Sequence, residues 1–392
     1  MKTVRKLFWI LAAVVLPSCG SDSEEELVGN WVRLGMGDFS GPARAYSAYF
    51  VIGDYGYVCG GYNGYKTPRS DMWRYNATTQ VAGWTQVDSL PTVERTAANG
   101  VLEQVGRQRA VGFSLNGKGY VGTGWDGDEL VMKDFFEYNP ALDGQRNSDN
   151  TSKAWQEIAP LPGPARYDAI AFVINGTAYV GGGYTSGVDK EYLADVYKFI
   201  PPTAAKQEGG WEAVPPMGKK RGGAVAFVLR DPADNKEYAY VCTGQNSSGN
   251  VYEFQRFDGE KWENLRHMKS WADDDDFDDE YGNNLMRINA IAFTMKGSGS
   301  VEKGYITAGN VATTWEYDPP VYDGNRNVIS GDIWVQRTPF SSSRMGAFAL
   351  SFPGKGANGD NLVVIGTGTQ GSYFRDDILR FEPEAENSTS DD

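Results

Sequence analysis

The chain has 392 residues with 37 basic and 51 acidic side chains, which gives a formal net charge of −14 at neutral pH. A surface this acidic disfavours a nucleic-acid partner, because phosphate binding needs basic side chains. The one histidine, His267, cannot supply a three-histidine zinc centre, and a histidine-based catalytic triad would have to use that residue. An aromatic content of 13% and 48 glycines agree with an all-β domain.

The N-terminus has the layout of a secretory signal. Basic residues within the first six positions precede an apolar run over 7–16, which is too short to span a membrane. Residues 16–19, Leu-Pro-Ser-Cys, then resemble the lipobox of bacterial lipoproteins, whose cysteine becomes the lipidated first residue of the mature protein. We predict a lipoprotein signal peptide over 1–19 with lipidation at Cys19. An ordinary signal peptide with a chance cysteine is the alternative.

Residues 20–29 form a predicted acidic tether. Its sequence GSDSEEE over 20–26 is similar to the signal that exports lipoproteins of the Bacteroidetes to the outer face of the outer membrane. We therefore expect an outer membrane lipoprotein exposed at the cell surface. A plain solvated linker on a periplasm-facing protein is the alternative.

A four-strand pattern begins after the tether, and its clearest copy runs from Arg166 to Trp211. An apolar, β-branched run follows Arg166, turns at Asn175-Gly176 and returns to end in three glycines at 181–183, which indicates a buried hairpin. Two shorter alternating segments around Phe199 and Trp211 follow. The alternation predicts two more strands of the same antiparallel sheet. One such sheet cannot bury both of its faces alone, so it must pack against copies of itself.

The pattern recurs six times. Its opening arginine is repeated at Arg44, Arg109, Arg166, Arg221, Arg287 and Arg344. The glycine-containing end of the second strand is repeated at 60–61, 122–124, 181–183, 243–244, 308–309 and 366–368. The third-strand aromatic is repeated at Tyr75, Tyr138, Phe199, Phe257, Tyr317 and Phe381, and the fourth-strand tryptophan at Trp84, Trp155, Trp211, Trp262 and Trp334. The sixth copy lacks the tryptophan. Trp31 precedes Arg44 as Trp155 precedes Arg166, and the sequence Gly-Pro-Ala stands directly before both arginines. We predict that an N-terminal strand completes the last sheet and closes a ring.

These repeats resemble the Kelch-repeat β-propellers, which have a period near 50, a diglycine after the second strand, a spaced aromatic and a tryptophan. The resemblance implies an all-β, six-bladed Kelch-type β-propeller over 30–383, followed by a flexible acidic tail over 384–392. Copies four to six lack a true diglycine. Because the repeats occupy nearly everything after the tether, we expect one domain. We also expect a monomer.

Several residues suggest chemistry without establishing it. Cys59 and Cys242 fall on the second strands of blades 1 and 4, too far apart for a disulfide, so we expect small core residues. Seven carboxylates within 273–280 suggest calcium, but their spacing is not that of an EF-hand, and a solvated loop is favoured.

For His267 a surface or packing role is favoured. Some Kelch propellers resemble galactose oxidase, whose copper needs two histidines, so that activity is rejected. We predict no cofactor and no metal.

A hairpin returns the chain to its origin, so the opening arginines and the residues after the glycine ends should share one face near the central channel. Those residues are Tyr62, Trp125, Tyr184, Gln245, Asn310 and Thr369. Guanidinium groups bind carboxylates in bidentate fashion and aromatic faces stack on sugar rings, so this channel mouth is a candidate site for an acidic sugar. The alternative, favoured for the arginines, is a structural role, since a residue repeated in every blade usually holds the blades together.

Two functions remain open. The first is a lipid-anchored, non-catalytic binding module of the cell envelope that presents one propeller face to a glycan or to another envelope protein. The second is an enzyme resembling the sialic acid mutarotases, which interconvert sugar anomers and need only an acid–base pair, for which Asp168 and Asp126 are candidates. Fold alone does not decide between them, and binding is favoured.

Overall fold

The structure is a computed structural model that describes residues 27–386 except 35–37, 66–67, 80–82, 98, 187–190, 233, 267, 269–283, 298, 300, 324 and 326–327. The predicted signal peptide with Cys19, the tether up to residue 26, His267, the acidic run 273–280 and residues 387–392 lie outside the described residues. No helix in the described part of the chain is long and apolar enough to cross a membrane.

The described chain forms six antiparallel sheets, the blades of a β-propeller, which confirms the predicted all-β class and the number of blades. Strand β1 (Asn30–Arg33) belongs to the last blade. Blade 1 contains β2 (Ala48–Ile52), β3 (Tyr55–Cys59), β4 (Met72–Asn76) and β5 (Thr85–Val87). A hairpin of β6 (Val93–Thr96) and β7 (Leu102–Val105) precedes blade 2, which contains β8 (Val111–Leu115), β9 (Lys118–Gly122), β10 (Phe135–Tyr138) and β11 (Trp155–Ile158). Blade 3 contains β12 (Ile170–Ile174), β13 (Thr177–Gly181), β14 (Val196–Ile200) and β15 (Gly210–Val214).

The other three blades carry additional short strands. Blade 4 contains β16 (Gly222–Arg230), β17 (Glu237–Asn246), the short β18 (Gly249–Asn250), β19 (Gln255–Phe257) and β20 (Trp262–Asn264). Blade 5 contains β21 (Ile291–Met295), β22 (Lys303–Thr307), β23 (Thr314–Asp318) and β26 (Ile333–Arg337), interrupted by the hairpin of β24 (Val321–Tyr322) and β25 (Val328–Ser330). Blade 6 contains β27 (Phe348–Phe352), β28 (Leu362–Gly366) and β31 (Ile378–Glu382), interrupted by the hairpin of β29 (Thr369–Gln370) and β30 (Tyr373–Phe374). Two 3₁₀ turns cover Pro140–Leu142 and Ala357–Gly359.

The first strand of each blade is the innermost, since β2, β8, β12, β16, β21 and β27 contact one another in a closed circle. The core lies between neighbouring blades, where the aromatics of the inner hairpins meet the next sheet. Gly119 shows why small residues recur beside these aromatics: a β-carbon there would come within 2.2 Å of the Phe50 ring in the preceding blade. The sheets therefore interlock at the close packing typical of protein interiors.

The N-terminal strand β1 pairs antiparallel with β31, placing Trp31 opposite Phe381 in blade 6. The Trp31 side chain is buried, its ring centre lies 4.6 Å from those of both Phe340 and Phe381, and its indole N–H donates to the carbonyl of Thr338. Residues from opposite ends of the chain thus share one sheet.

Cys59 and Cys242 are free and buried, as predicted. Burial raises the pKa of each thiol to about 12. Both side chains therefore stay neutral and act as small core residues.

Candidate functional site

A closed ring of backbone hydrogen bonds surrounds the propeller axis. One residue per blade donates its N–H to the carbonyl of its counterpart in the preceding blade, at 2.7–3.1 Å. The six residues, in chain order, are Tyr46, Arg109, Asp168, Gly223, Asn289 and Gly346. We call them the axial ring. All six have positive φ, between 51° and 66°.

Four axial-ring positions carry side chains although their backbone conformation favours glycine: Tyr46, Arg109, Asp168 and Asn289. Non-glycine residues in this region cost free energy, and such positions cluster at functional sites. The four side chains line a cavity of about 100 Å³ at the centre of the ring. Gly346 could not be replaced by a larger residue without a clash, because a β-carbon there would lie 2.7 Å from the backbone nitrogen of Tyr46. The axial ring is therefore the place where side chains vary from blade to blade at the channel.

Arg109 joins two other side chains of the ring. Its Nη1 donates to Oδ2 of Asp168 at 2.6 Å, and its guanidinium lies 3.8 Å from the centre of the Tyr46 ring. The side chains of Arg109 and Asp168 are 19% and 15% exposed, so both can be reached from solvent. The pair combines a hydrogen-bond donor with a carboxylate at one accessible point.

Burial is the strongest influence on the ionisation of these groups. It raises the pKa of Asp168 above its ordinary value, and the charge and hydrogen bond of Arg109 only partly oppose this. Burial also raises the pKa of Tyr46, again against the charge of Arg109. Burial by itself would lower the pKa of the Arg109 guanidinium. The nearby Asp168 and Tyr46 outweigh burial and hold that pKa above its ordinary value. Asp168 is thus a carboxyl group made more basic by its surroundings.

A row of aromatic side chains leads away from Asp168 across blades 2 and 3. Trp125 stacks on Tyr167 with ring centres 5.5 Å apart and planes inclined by 21°. Tyr167 meets Tyr184 edge-on at 5.5 Å, and Tyr184 meets Tyr192 at 4.7 Å. All four side chains are half-buried, so each keeps part of its surface in solvent. We call these four residues the aromatic row.

Trp125 and Tyr184 were predicted in this place, whereas Tyr167 and Tyr192 were missed. Tyr167 directly follows the opening arginine Arg166 and pairs with Tyr184 across the hairpin. That adjacency in sequence was the available signal. Tyr192 follows Tyr184 by eight residues, and only the folded chain brings the two side by side.

The predicted ligand-binding role of the arginines needs correction for Arg44, Arg166, Arg221, Arg287 and Arg344, which are at most 1% exposed. In each, Nη1 donates to the carbonyl of the residue before the closing glycine of its own blade, at 3.0–3.3 Å. Their donors therefore point into the blade and not into the channel. These five arginines therefore have the structural role, and the carbonyl that each one binds belongs to its own blade.

In blade 2 this structural position belongs to Arg107 and not to Arg109. Arg107 is buried, and its Nη1 donates to the carbonyl of Thr123 at 3.0 Å. The N–H of each closing glycine also donates to the carbonyl of the next blade's structural arginine, at 2.6–2.9 Å, and Gly61 donates to Arg107. Arg109 lies two residues further on, in the axial ring. It is the one predicted arginine that reaches the channel.

The structural arginines have acidic partners in four blades. The residue just before the third strand is an aspartate there and binds the guanidinium in bidentate fashion at 2.6–2.9 Å; these residues are Asp71, Asp134, Asp195 and Asp377. These aspartates lie four residues before the third-strand aromatic, and at that distance blades 4 and 5 have Glu253 and Thr313. Neither Arg221 nor Arg287 has a carboxylate bonded to its guanidinium. Burial therefore lowers the pKa of Arg221 to about 10 and that of Arg287 to about 9.

The other predicted residues lie at the same end of their blades but make local contacts. Tyr62 packs edge-on against Phe374 at 5.6 Å. The Asn310 side chain accepts a hydrogen bond from the N–H of Ile288 at 2.9 Å, and Thr369 is buried. Gln245 is half-buried at the end of the inner hairpin of blade 4. Of the predicted set, Arg109, Trp125 and Tyr184 gather with Asp168 and the aromatic row.

Asp126, the second acid–base candidate, is buried, and both of its carboxylate oxygens accept hydrogen bonds. Its Oδ2 accepts from Arg95 at 2.5 Å, and its Oδ1 accepts from the N–H groups of Asp128 and Leu130. Asp168 is therefore the better-placed carboxyl group for chemistry at the channel.

Comparisons with known proteins support the fold. No family model matches the chain, and no curated protein matches it. Solved structures match in large number, 264 chains, so the architecture is shared too widely to determine a function. One is titled "Structure of YjhT": the match covers 88% of this chain and 96% of that one, with a TM-score of 0.56 at 14% sequence identity. At this identity the likeness shows the fold alone.

Proposed function

We propose that this protein is a Kelch-type propeller that binds a glycan at the channel mouth of blades 2 and 3. The observation that carries this proposal is the aromatic row leading to the accessible Arg109–Asp168 pair. Aromatic faces bury the apolar face of a pyranose ring, while the guanidinium and carboxylate of the pair satisfy its hydroxyl groups. The site uses one region of the ring, in keeping with a single ligand bound by a monomer.

Replacing Trp125 with alanine should weaken glycan binding about fivefold or more, because loss of one stacking surface costs roughly 1 kcal/mol or more. The measurement is calorimetric titration of the full chain against a panel of neutral and acidic oligosaccharides. Tyr55→Ala is the matched control, since Tyr55 is a partly exposed aromatic at the opposite end of the blade 1 hairpin. Equal affinities of the two variants for the panel would contradict the proposed site.

The second candidate, a sugar mutarotase, is favoured by one observation: Asp168 has a raised pKa, from burial, and lies beside the aromatic row. Anomer exchange needs a group that takes and returns a proton, and a carboxyl group with a raised pKa suits that role at neutral pH. The same titrated sugars decide between the candidates by NMR. Accelerated exchange between α and β anomers supports the enzyme, and an unchanged rate supports the binding module.

We further propose that the propeller is held at the outer membrane by lipid on Cys19, with a glycan or an envelope protein as its partner. The support is the apolar run 7–16 followed by the lipobox-like residues 16–19. Cys19→Ala should move the protein from the membrane fraction to the soluble fraction on centrifugation, because one acyl-bearing residue supplies the anchor. The neighbouring change Ser18→Ala should leave it membrane-bound. Retention of the Cys19→Ala variant in membranes would contradict the anchor.

A further inference from the structure

An open groove lies where blade 3 meets blade 4, at the far end of the aromatic row. Its volume is about 610 Å³, and its walls include Tyr184, Glu191, Tyr192, Lys219, Lys220 and Asn246. Two members of the aromatic row, Tyr184 and Tyr192, are thus also walls of this groove. A ligand lying along the row would place its next unit here.

The groove carries basic side chains that remain accessible on a chain of net charge −14. The Lys219 and Lys220 side chains are 53% and 60% exposed. Lys220 contacts Glu191 at 2.9 Å, and Lys219 contacts Glu253 at 3.3 Å. The Lys220–Glu191 pair is solvent-exposed, and such pairs are weak and readily exchanged. Lys219 is similarly exposed, whereas the side chain of its partner Glu253 is 14% exposed.

Arg221, the next residue along the chain, is buried and lacks the carboxylate partner found in four other blades. Its Nη1 donates to the carbonyls of Thr243 and Glu253, whereas Nε and Nη2 are buried without a hydrogen-bond partner in the structure. Glu253 occupies the position of the aspartates in those blades but turns its carboxylate toward Lys219. A buried guanidinium with unused donors attracts negative charge.

We infer that this groove binds the anionic group of an acidic sugar, held by Lys219 and Lys220 while the sugar ring lies against Tyr184 and Tyr192. The inference rests on the proposed glycan-binding function and specifies the class of ligand. An arriving anion takes the place of Glu253 at Lys219. Glu253 then turns to the free donors of Arg221, as the corresponding aspartates do in blades 1, 2, 3 and 6. The displaced carboxylate thus keeps a cationic partner after it leaves the exposed lysine.

The test is calorimetric titration of the full chain with trigalacturonate and cellotriuronate, each paired with its carboxyl-reduced neutral trisaccharide. We expect the acidic member of a pair to bind at least about tenfold more tightly, with an advantage that shrinks as salt is added. In the double variant Lys219→Ala/Lys220→Ala this advantage disappears, while the affinity for the neutral member stays. Lys198→Ala, which removes another surface lysine paired with a glutamate, is the matched control and keeps it.

Glu253→Gln provides a second, opposite readout, since it removes the negative charge that competes for Lys219. Affinity for the acidic sugars should rise two- to fivefold, as expected for relief of a like charge near a surface site. The inference is overturned if acidic and neutral sugars bind equally, or if the double variant keeps the preference. Binding of neutral sugars that depends on Trp125 without any preference for acid would overturn the inference alone. If none of the four sugars binds, both the inference and the proposed glycan binding are overturned.

Discussion

Replacing Arg107 with alanine should lower the free energy of unfolding by about 3 kcal/mol, the cost of leaving a bonded carboxylate without its buried partner. Arg107 is almost fully buried and bonds both Asp134 oxygens. The figure is at the lower end of the usual range because the Asp134 side chain is 23% exposed and regains some solvation. The change also removes a bond to the carbonyl of Thr123, and with it a link between the inner hairpin and the third strand.

The control lies two residues away. Arg109→Ala should cost about 1 kcal/mol or less, because Arg109 and Asp168 are accessible and Asp168 can take up a proton once its partner is gone. Denaturant unfolding of the two variants and of the native protein measures both values. We expect the order of glycan affinities to be reversed, with Arg109→Ala the more damaging. Similar stability losses for the two arginines would show that their roles had been assigned wrongly.

Replacing Trp31 with alanine should lower the free energy of unfolding by about 4 kcal/mol, within the range for a buried tryptophan truncated in a core. The side chain is 2% exposed and packs between Phe340 and Phe381. Its loss also leaves the carbonyl of Thr338 without the indole donor. Because β1 connects the first residues of the propeller to its last blade, the effect should spread to both ends of the chain.

Two comparisons make the Trp31 result specific. Val28→Ala, at a side chain 40% exposed just before the strand, should change the midpoint of thermal unfolding very little. Hydrogen exchange of Trp31→Ala should show faster opening of β31 than of β14 in the distant blade 3. An unfolding midpoint equal to that of the native protein would mean that closure by β1 does not stabilise the propeller.

The assignment of Arg109 shows how far the sequence pattern reached. Blade 2 has two arginines within three residues, and spacing alone did not choose between them. The aspartates before the third strands were a usable signal, because Arg107 and Asp134 are separated by 27 residues, as are Arg44 and Asp71. The repeated arginine of blade 2 was assigned to Arg109 because the arginine positions were compared without the aspartates that follow them.

The axial ring could not be found in this way. Its six members are of five residue types, and only glycine occurs twice. What they share is a positive φ and a hydrogen bond to the next blade. The approximate place of Asp168 near the channel makes it a candidate acid, but the sequence pattern does not predict its pairing with Arg109.

The sequence by itself determined the all-β class, the number of blades and the strands of each, because buried hairpins and alternating outer strands leave a local, repeated pattern of apolar, glycine and aromatic residues. It also predicts lipidation at Cys19 and an acidic tether over 20–29. Only the tertiary structure decided which side chains reach the channel. Closing the ring brings Tyr46 and Gly346 within 2.7 Å between backbone nitrogen and oxygen. A contact between residues so distant in sequence depends on the packing of all six blades, and no local pattern encodes it.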